Sequence, residues 1–486
     1  MVPATLTTPP RPSAADEKRY DRVAFHITSM IDAGTLRVGE RLPSVRRLAA
    51  QMGFAVGTVL HAYRRLEAAG RIEARPQSGY YVRATRPQLP EPPRSAPPPR
   101  ATAPSLGRLM VRMSELLSAP DIVPLGHAVP SPECLPTRQL NRYSAAIARR
   151  SKRGFNSYDV PPGCPELRQQ IARHYVEAGC ALAPDEIVTT CGCQEALGLC
   201  LRAVAPAGSV VAVSAPSYYG QLQTIELLGM KALEIPTDPR QGINLDALEA
   251  ILARRKIAAC LLTTNCHNPL GCIMSTADKQ RLVALLARHD VPLIEDDIYG
   301  DLAFDAPRPT VCKACDQDGR VLLCSSFSKT LAPGARVGWC APGRYLEEIK
   351  RLKFCNTIAT ATLPQLAIAE FLAIGGYEHH LRKMRKRYAE QVRQMACAVE
   401  EFFPAGTRAT RPAGGHVLWV ELPRAVDSVQ LFEQAAALKV SVAPGLLFST
   451  TDAYRHYVRL NCSCTWDARV ERAVATLGRL ATAQLS

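Results

Sequence analysis

Residues 86–104 read RPQLPEPPRSAPPPRATAP, and this stretch limits the possible folds more than any other. Proline fixes φ and lacks a backbone donor, so such a run enters neither a helix nor a central strand. It has almost no large apolar side chains and cannot form a core. A chain of 486 residues with 47% apolar content is therefore divided here. The reading is a unit over 16–84, an extended, semi-rigid linker over 85–106 and a larger unit over 107–486. The formal charge is +15, and residues 1–86 hold 14 Lys/Arg against 7 Asp/Glu. That local excess points to nucleic acid. The first residues lack the apolar core of a signal peptide, and no stretch reaches the length of a membrane span. A cytoplasmic chain with no membrane partner is expected. Its seventeen cysteines then read as buried thiols. Cys312 and Cys315 form a C-x-x-C without a second pair, so no metal is expected.

In the first unit Val23, Ile27, Met30 and Ile31 repeat at helical spacing. After the turn-rich GTLRVGERLPS, Ser44 is placed to cap a helix carrying Val45, Leu48, Ala49 and Met52, which Gly53 ends. A third helix places Val59, Ala62, Tyr63 and Leu66 on one face and Thr58, His61, Arg64 and Arg65 on the other. Two short helices joined by a glycine turn read as helix-turn-helix. RIEARPQSGYYVR, residues 71–83, reads as a hairpin wing. Residues 107–118 are expected to form a short amphipathic helix with Leu109, Met113, Leu116 and Leu117 apolar.

Beyond the linker, short apolar runs such as EIVTTCG, SVVAVSAPS, AACLLTTN, VPLIEDDIYG and VLLCSSFS alternate with amphipathic helices. This is the rhythm of a mostly parallel sheet, with ligands at the carboxyl ends of its strands. There lies SSFSKTLAPGARVGW, residues 325–339. Desolvation lowers the pKa of Lys329 and frees its amine to attack a carbonyl. Ser326, Ser328 and Arg336 suit a phosphate. A Schiff-base lysine beside a phosphate cup points to pyridoxal 5'-phosphate (PLP). Gly192-Cys193-Gln194 opens a helix whose N–H groups suit an anion. Asp296 can hold a pyridine nitrogen protonated. Asp297 competes for that role, but the spacing to Tyr299 and strand alternation favour Asp296. Asn268 can donate to a phenolic oxygen, and Tyr218 offers a face for ring stacking.

GERLPSVRRLAAQMGFAVGTVLHAYRRLEAAGRIEARPQSGYYV, residues 39–82, resembles the winged helix of the GntR family. The resemblance implies that Arg46, Thr58 and the wing at Ser78 and Gly79 approach double-stranded DNA. Where that family opens its recognition helix with Ser or Thr, this chain has Ala55, Val56 and Gly57, which shifts readout toward His61, Arg46 and the wing. From about residue 120 the chain resembles fold-type I PLP enzymes, the class I/II aminotransferases. The implied fold is a large, mostly parallel domain plus a small α+β C-terminal domain. The resemblance implies the covalent bond to PLP at Lys329, the ring nitrogen at Asp296 and the phenolic oxygen at Tyr299 and Asn268. Ser326, Ser328, Arg336, Cys193 and Gln194 would hold the phosphate. Tyr158 would reach the partner subunit's phosphate, and Arg459, in YVRLNCS, a substrate carboxylate. Cys193 stands where Ser or Thr is usual, so one phosphate hydrogen bond should weaken.

The domain order resembles the MocR subfamily of transcription regulators. It implies a head-to-tail, domain-swapped homodimer whose cofactor domain senses an amino acid or related amine through exchange at Lys329. The alternatives are a working aminotransferase carrying a DNA module, and a regulator that senses PLP itself.

Overall fold

The computed structural model describes residues 14–32, 35–37, 39–68, 70–75, 78–83, 89–105, 107–117, 121–151, 153–305 and 307–485. The chain divides into two units, Met1–Gln88 and Leu89–Ser486.

In the first unit α1 (Ala14–Asp32), α2 (Val45–Met52) and α3 (Val56–Ala68) precede the strands β1 (Ile72–Arg75) and β2 (Gly79–Val82). The Ser44 hydroxyl accepts from the Arg47 amide, and Gly53 ends α2 in the left-handed conformation at φ 67°. Val23, Ile27, Leu48, Val59, Ala62 and Leu66 close a core with Ile72 and Val82 of the wing. Tyr63 is buried there and donates to Pro43 O at 2.8 Å, which satisfies the hydroxyl. The strands pair antiparallel, Ile72 opposite Val82. Pro76 and Gln77 of the expected turn lie outside the described residues.

The second unit begins with the proline-rich segment. Its described residues form no helix or named strand, and it is not a free spacer. Thr102 exchanges both backbone hydrogen bonds with Ala232 at 2.9 Å, and the Ser95 amide donates to Thr237 O at 3.1 Å. The physical reason is an open sheet edge, whose unpaired groups take the donors that remain between the prolines. The helix α4 (Gly107–Leu117) follows, with Met113 and Leu116 buried. The side chain of Leu117 lies outside the described residues.

Among the described residues the large sheet has eight strands. They are β3 (Val188–Thr190), β4 (Val210–Ala215), β5 (Lys231–Asp238), β6 (Gly242–Ile243), β7 (Ala259–Leu262), β8 (Leu293–Asp296), β9 (Val321–Ser326) and β10 (Gly338–Ala341). Their order is β3-β10-β9-β8-β7-β4-β5-β6. The run from β9 to β5 is parallel, and β10, β3 and β6 are antiparallel to their neighbours. These strands are β-branched or leucine-rich and buried on both faces, as helices covering both sides require. A second sheet joins β11 (Arg408–Ala409), β12 (Val417–Glu421), β13 (Ala443–Pro444) and β14 (Tyr457–Asn461) in the order β11-β12-β14-β13. No described helix is long and apolar enough to cross a membrane.

Candidate functional site

One cavity lies at the carboxyl ends of β8 and β9. It is lined by Cys193, Gln194, Tyr218, Asn268, Asp296, Tyr299, Ser326, Ser328, Lys329 and Arg336. Sequence reasoning named all ten. It missed Leu197, Thr263 and Ile298, which complete the lining.

Lys329 follows β9 after a tight turn, and its amine donates to Ala128 O at 2.6 Å. Burial, then the charge of Arg459, pull its pKa down to about 8. Only the unprotonated amine attacks a carbonyl. The rate of covalent attachment of PLP to the apo-protein should therefore rise as pH increases through about 8 and level off above it. Stopped-flow absorbance across pH 6 to 10 reads this; a rate flat over that range would contradict the assignment.

The two adjacent carboxylates part at the end of β8. Asp296 faces the cavity and accepts from Gln221 Nε2 at 3.0 Å. Asp297 turns to the other face, where Arg308 binds it at 2.5 Å and Asn265 donates to it at 2.9 Å. It belongs to a buried ion-pair cluster with Asp301, whose carboxyl, despite burial, is held well below the usual range by His174 and Arg308.

Two side chains expected at the phosphate are aimed elsewhere. The Cys193 thiol lies 3.6 Å from Asp296 Oδ1 and donates to it. Burial and that carboxylate raise its pKa well above the ordinary thiol value, so it stays protonated. Gln194 donates to Gly220 O at 2.9 Å and Thr224 Oγ1 at 2.6 Å. Both residues open the helix α5 (Cys193–Val204), which has no side-chain N-cap, so what they offer an anion is their backbone N–H groups. Arg336 takes φ 54° and bends back under this helix end, donating to Cys191 O at 3.1 Å. A Cβ at Gly192, itself at φ 85°, would lie 2.5 Å from Arg336 Nη2, so glycine is required there.

Arg459 projects from β14 and is fully buried. It donates to Asn268 Oδ1 at 3.2 Å and to Gly126 O at 2.5 Å, and its guanidinium lies over the rings of Tyr219 and Phe448. Gly126 and Ala128 thus accept from the two basic side chains of the site. Sequence reasoning did not single out this segment, because its contribution is made by backbone carbonyls. His127 between them is kept uncharged by burial, then by Arg459 and Lys329, which lower its pKa to about 4. His416, also missed, packs its ring against Tyr299 at 5.6 Å.

Tyr158 does not line this cavity; it is 76% exposed on the surface of its own chain, near Phe155. In the first unit Arg46 is exposed on α2 and Thr58 half-buried on α3. The His61 ring, expected to read DNA, packs 4.4 Å from Tyr20 of α1. Arg65 is likewise held by Asp21. Ser78 and Tyr81 hydroxyls meet at 2.5 Å in the wing. Gly79 takes φ 109° beside the Arg41 guanidinium, a neighbour the sequence did not indicate.

The residues present fit PLP. The Tyr299 hydroxyl is buried without a hydrogen-bond partner, where a phenolic oxygen would satisfy it. The uncapped helix end and Arg336 fit a phosphate, and Asp296 fits a protonated ring nitrogen. A half-buried lysine at the strand ends, in one cavity with that carboxylate, defines a fold-type I PLP domain, here preceded by a winged helix.

Comparison with known proteins extends this. Residues 133–477 match the aminotransferases of class I and II, and residues 19–82 match the bacterial regulatory proteins of the gntR family. The HTH-type transcriptional regulator YjiR of Escherichia coli (strain K12) is 39% identical over 95% of this chain and 98% of its own. YdcR of the same organism is 40% identical over 95% and 99%. The probable rhizopine catabolism regulatory protein MocR of Rhizobium meliloti is 28% identical over 88% and 87%. Among solved structures, LysN, the alpha-aminoadipate aminotransferase of Thermus thermophilus, superposes with a TM-score of 0.71. It shares 29% identity and covers 77% of this chain and 95% of its own. The chain belongs to the MocR-type regulators of the gntR family, DNA-binding transcription regulators with an aminotransferase-like domain. Its cofactor is PLP, which supplies an electron-withdrawing ring when bound.

Proposed function

We propose that the aminotransferase-like domain is a sensor for a free amino acid, and that its occupancy sets the affinity of the winged helix for DNA. The observation that carries this reading is the pairing of Lys329 with a fully buried Arg459, each holding a carbonyl of the same short segment, Ala128 and Gly126. Lys329 demands a primary amine, and Arg459 offers a carboxylate a charge-assisted, two-pronged grip. Only a molecule with both groups engages both. In this reading Lys329 bonds PLP, Asp296 meets the ring nitrogen, and Tyr299 and Asn268 meet the phenolic oxygen. Tyr218 stacks on the ring. Ser326, Ser328, Arg336 and the amides of Cys193 and Gln194 hold the phosphate. The LysN structure supports it, being complexed with N-(5'-phosphopyridoxyl)-L-leucine, an adduct of the cofactor with an amino acid.

The protein acts in the cytoplasm as a head-to-tail homodimer. The exposure of Tyr158 supports this, since an aromatic ring 76% open to solvent in one chain is free to complete a site in another. Dimerisation gives two winged helices and hence two half-sites. The test is DNA affinity with and without each amino acid. Steady turnover of an amino donor with a keto-acid acceptor would instead favour a working aminotransferase.

The winged helix should bind through Arg46, Thr58, His61 and the wing at Ser78 and Gly79, with the exposed His61 ring oriented by its packing on Tyr20. Arg46→Ala should weaken binding about tenfold. Wild-type affinity should fall steeply with salt as counterions are released. Fluorescence anisotropy over 50 to 300 mM salt reads both. Salt-independent binding would contradict the electrostatic footprint.

A further inference from the structure

The segment 89–102 touches both sheets of the second unit. Pro90 O accepts from the Ala409 amide of β11 at 3.0 Å. One residue on, the Glu91 carboxylate is bound by Arg240, at the end of β5, and lies 3.9 Å from Arg411 Nε, just past β11. Glu91 is 13% exposed, and its Oε1, the oxygen toward Arg411, has no hydrogen-bond partner. Beyond it the segment is fixed mainly to β5, with Tyr454, which lies between β13 and β14, also bonded to Ser95. Arg94 pairs with Asp238 at 3.3 Å, the Thr237 amide donates to Ser95 Oγ at 2.7 Å, and Thr102 pairs with Ala232. Glu91 is thus a carboxylate that bridges the two sheets, three residues after the first unit ends at Gln88.

The site described above spans the same two sheets. Lys329 follows β9 of the large sheet, and Arg459 stands on β14 of the small one. A ligand held by both fixes the spacing between the sheets. Glu91 spans the same junction, and one of its two arginine contacts is loose enough to tighten or break. We propose that residues 89–102 form a strap that converts the spacing of the two sheets into tension on the chain entering the DNA-binding unit, with Glu91 as the coupling residue. The proposal rests on the sensor reading and names the means by which that site regulates. The strap is fixed to β5 through Arg94, Ser95 and Thr102, and to β11 only through the Pro90 carbonyl and Glu91. A shift of β11 is therefore felt at Pro90 and Glu91, at the start of this unit's chain, and not at Thr102.

The test compares the full-length protein loaded with PLP and the same protein loaded instead with N-(5'-phosphopyridoxyl)-L-leucine, which fills the phosphate cup and adds a carboxylate for Arg459. The readouts are amide hydrogen exchange at Ala409 and Thr102, and affinity for a duplex that the wild-type protein selects from a random pool. In wild type the probe should change exchange at Ala409 but not at Thr102, and shift DNA affinity about fivefold or more. Glu91→Gln and, separately, Arg411→Ala should keep the visible cofactor band and the probe-free DNA affinity, and cut the shift below about twofold. Variants that respond on DNA as fully as wild type would overturn the strap and leave the sensor reading standing. Unchanged exchange at Ala409 in wild type also overturns it. Altered exchange at Ala409 with unaltered DNA affinity in wild type would overturn the strap as a route to the DNA-binding unit, and the sensor reading with it.

Discussion

Replacement of Lys329 by alanine abolishes covalent cofactor attachment, and with it the visible absorption band of the holoprotein. Lys329 is the lysine of the cavity lining, its amine is desolvated, and burial has brought its pKa to about 8. Among the described residues the two buried lysines are held elsewhere. Lys353 is fully engaged by Glu195 at 2.7 Å, and Lys279 by Asn265 at 2.6 Å. The phosphate contacts at Arg336 and the helix end remain in the variant, so PLP still binds, without the covalent bond. Borohydride treatment followed by peptide mapping checks this. Wild type yields a reduced adduct at residue 329, and the variant yields none anywhere. An adduct on a different lysine would displace Lys329 from its place in the site.

The second large effect is expected at Arg459. Its guanidinium is fully buried against two aromatic rings and bonded to Asn268 and Gly126. Truncation to alanine removes a charge-assisted carboxylate grip of about 1.5–3 kcal/mol. Amino-acid affinity, followed by the change in the cofactor spectrum, should fall roughly 10- to 150-fold. PLP binding itself should change little, since Arg459 does not line the phosphate cup. Arg459→Lys keeps a charge but loses the planar fork, and should recover little. A regulator that senses PLP instead would leave Arg459→Ala as responsive on DNA as wild type.

Much of this site was legible because its chemistry depends on residue types at fixed places after strands. Lys329, Asp296, Tyr299 and Asn268 each follow an apolar run that ends where a parallel sheet delivers its side chains. Alternation separated Asp296 from Asp297, and the structure places them on opposite faces for that reason. What was not legible is where side chains turn once packed. Cys193 and Gln194 stand at the helix end, but their side chains bond to Asp296 and to Gly220 and Thr224, and no linear pattern encodes that. His61 lies on the polar face of its helix, yet Tyr20, some forty residues earlier, captures its ring. Gly126 and Ala128 act through carbonyls, which every residue type possesses. The proline composition predicts an extended spacer, but the docking of that segment depends on the open edge of β5, and that edge exists only once the sheet is assembled.

The central claim, that an amino acid held by Lys329 and Arg459 controls DNA binding, is tested most directly by one titration. The affinity of the holoprotein for its selected duplex is measured by anisotropy with each of the common amino acids, for wild type and for Arg459→Ala. The expected result is that at least one amino acid shifts both the cofactor spectrum and the DNA affinity of wild type, and shifts neither in the variant at the same concentration. A full panel that leaves wild-type DNA affinity unchanged, or a shift that survives intact in Arg459→Ala, would contradict it.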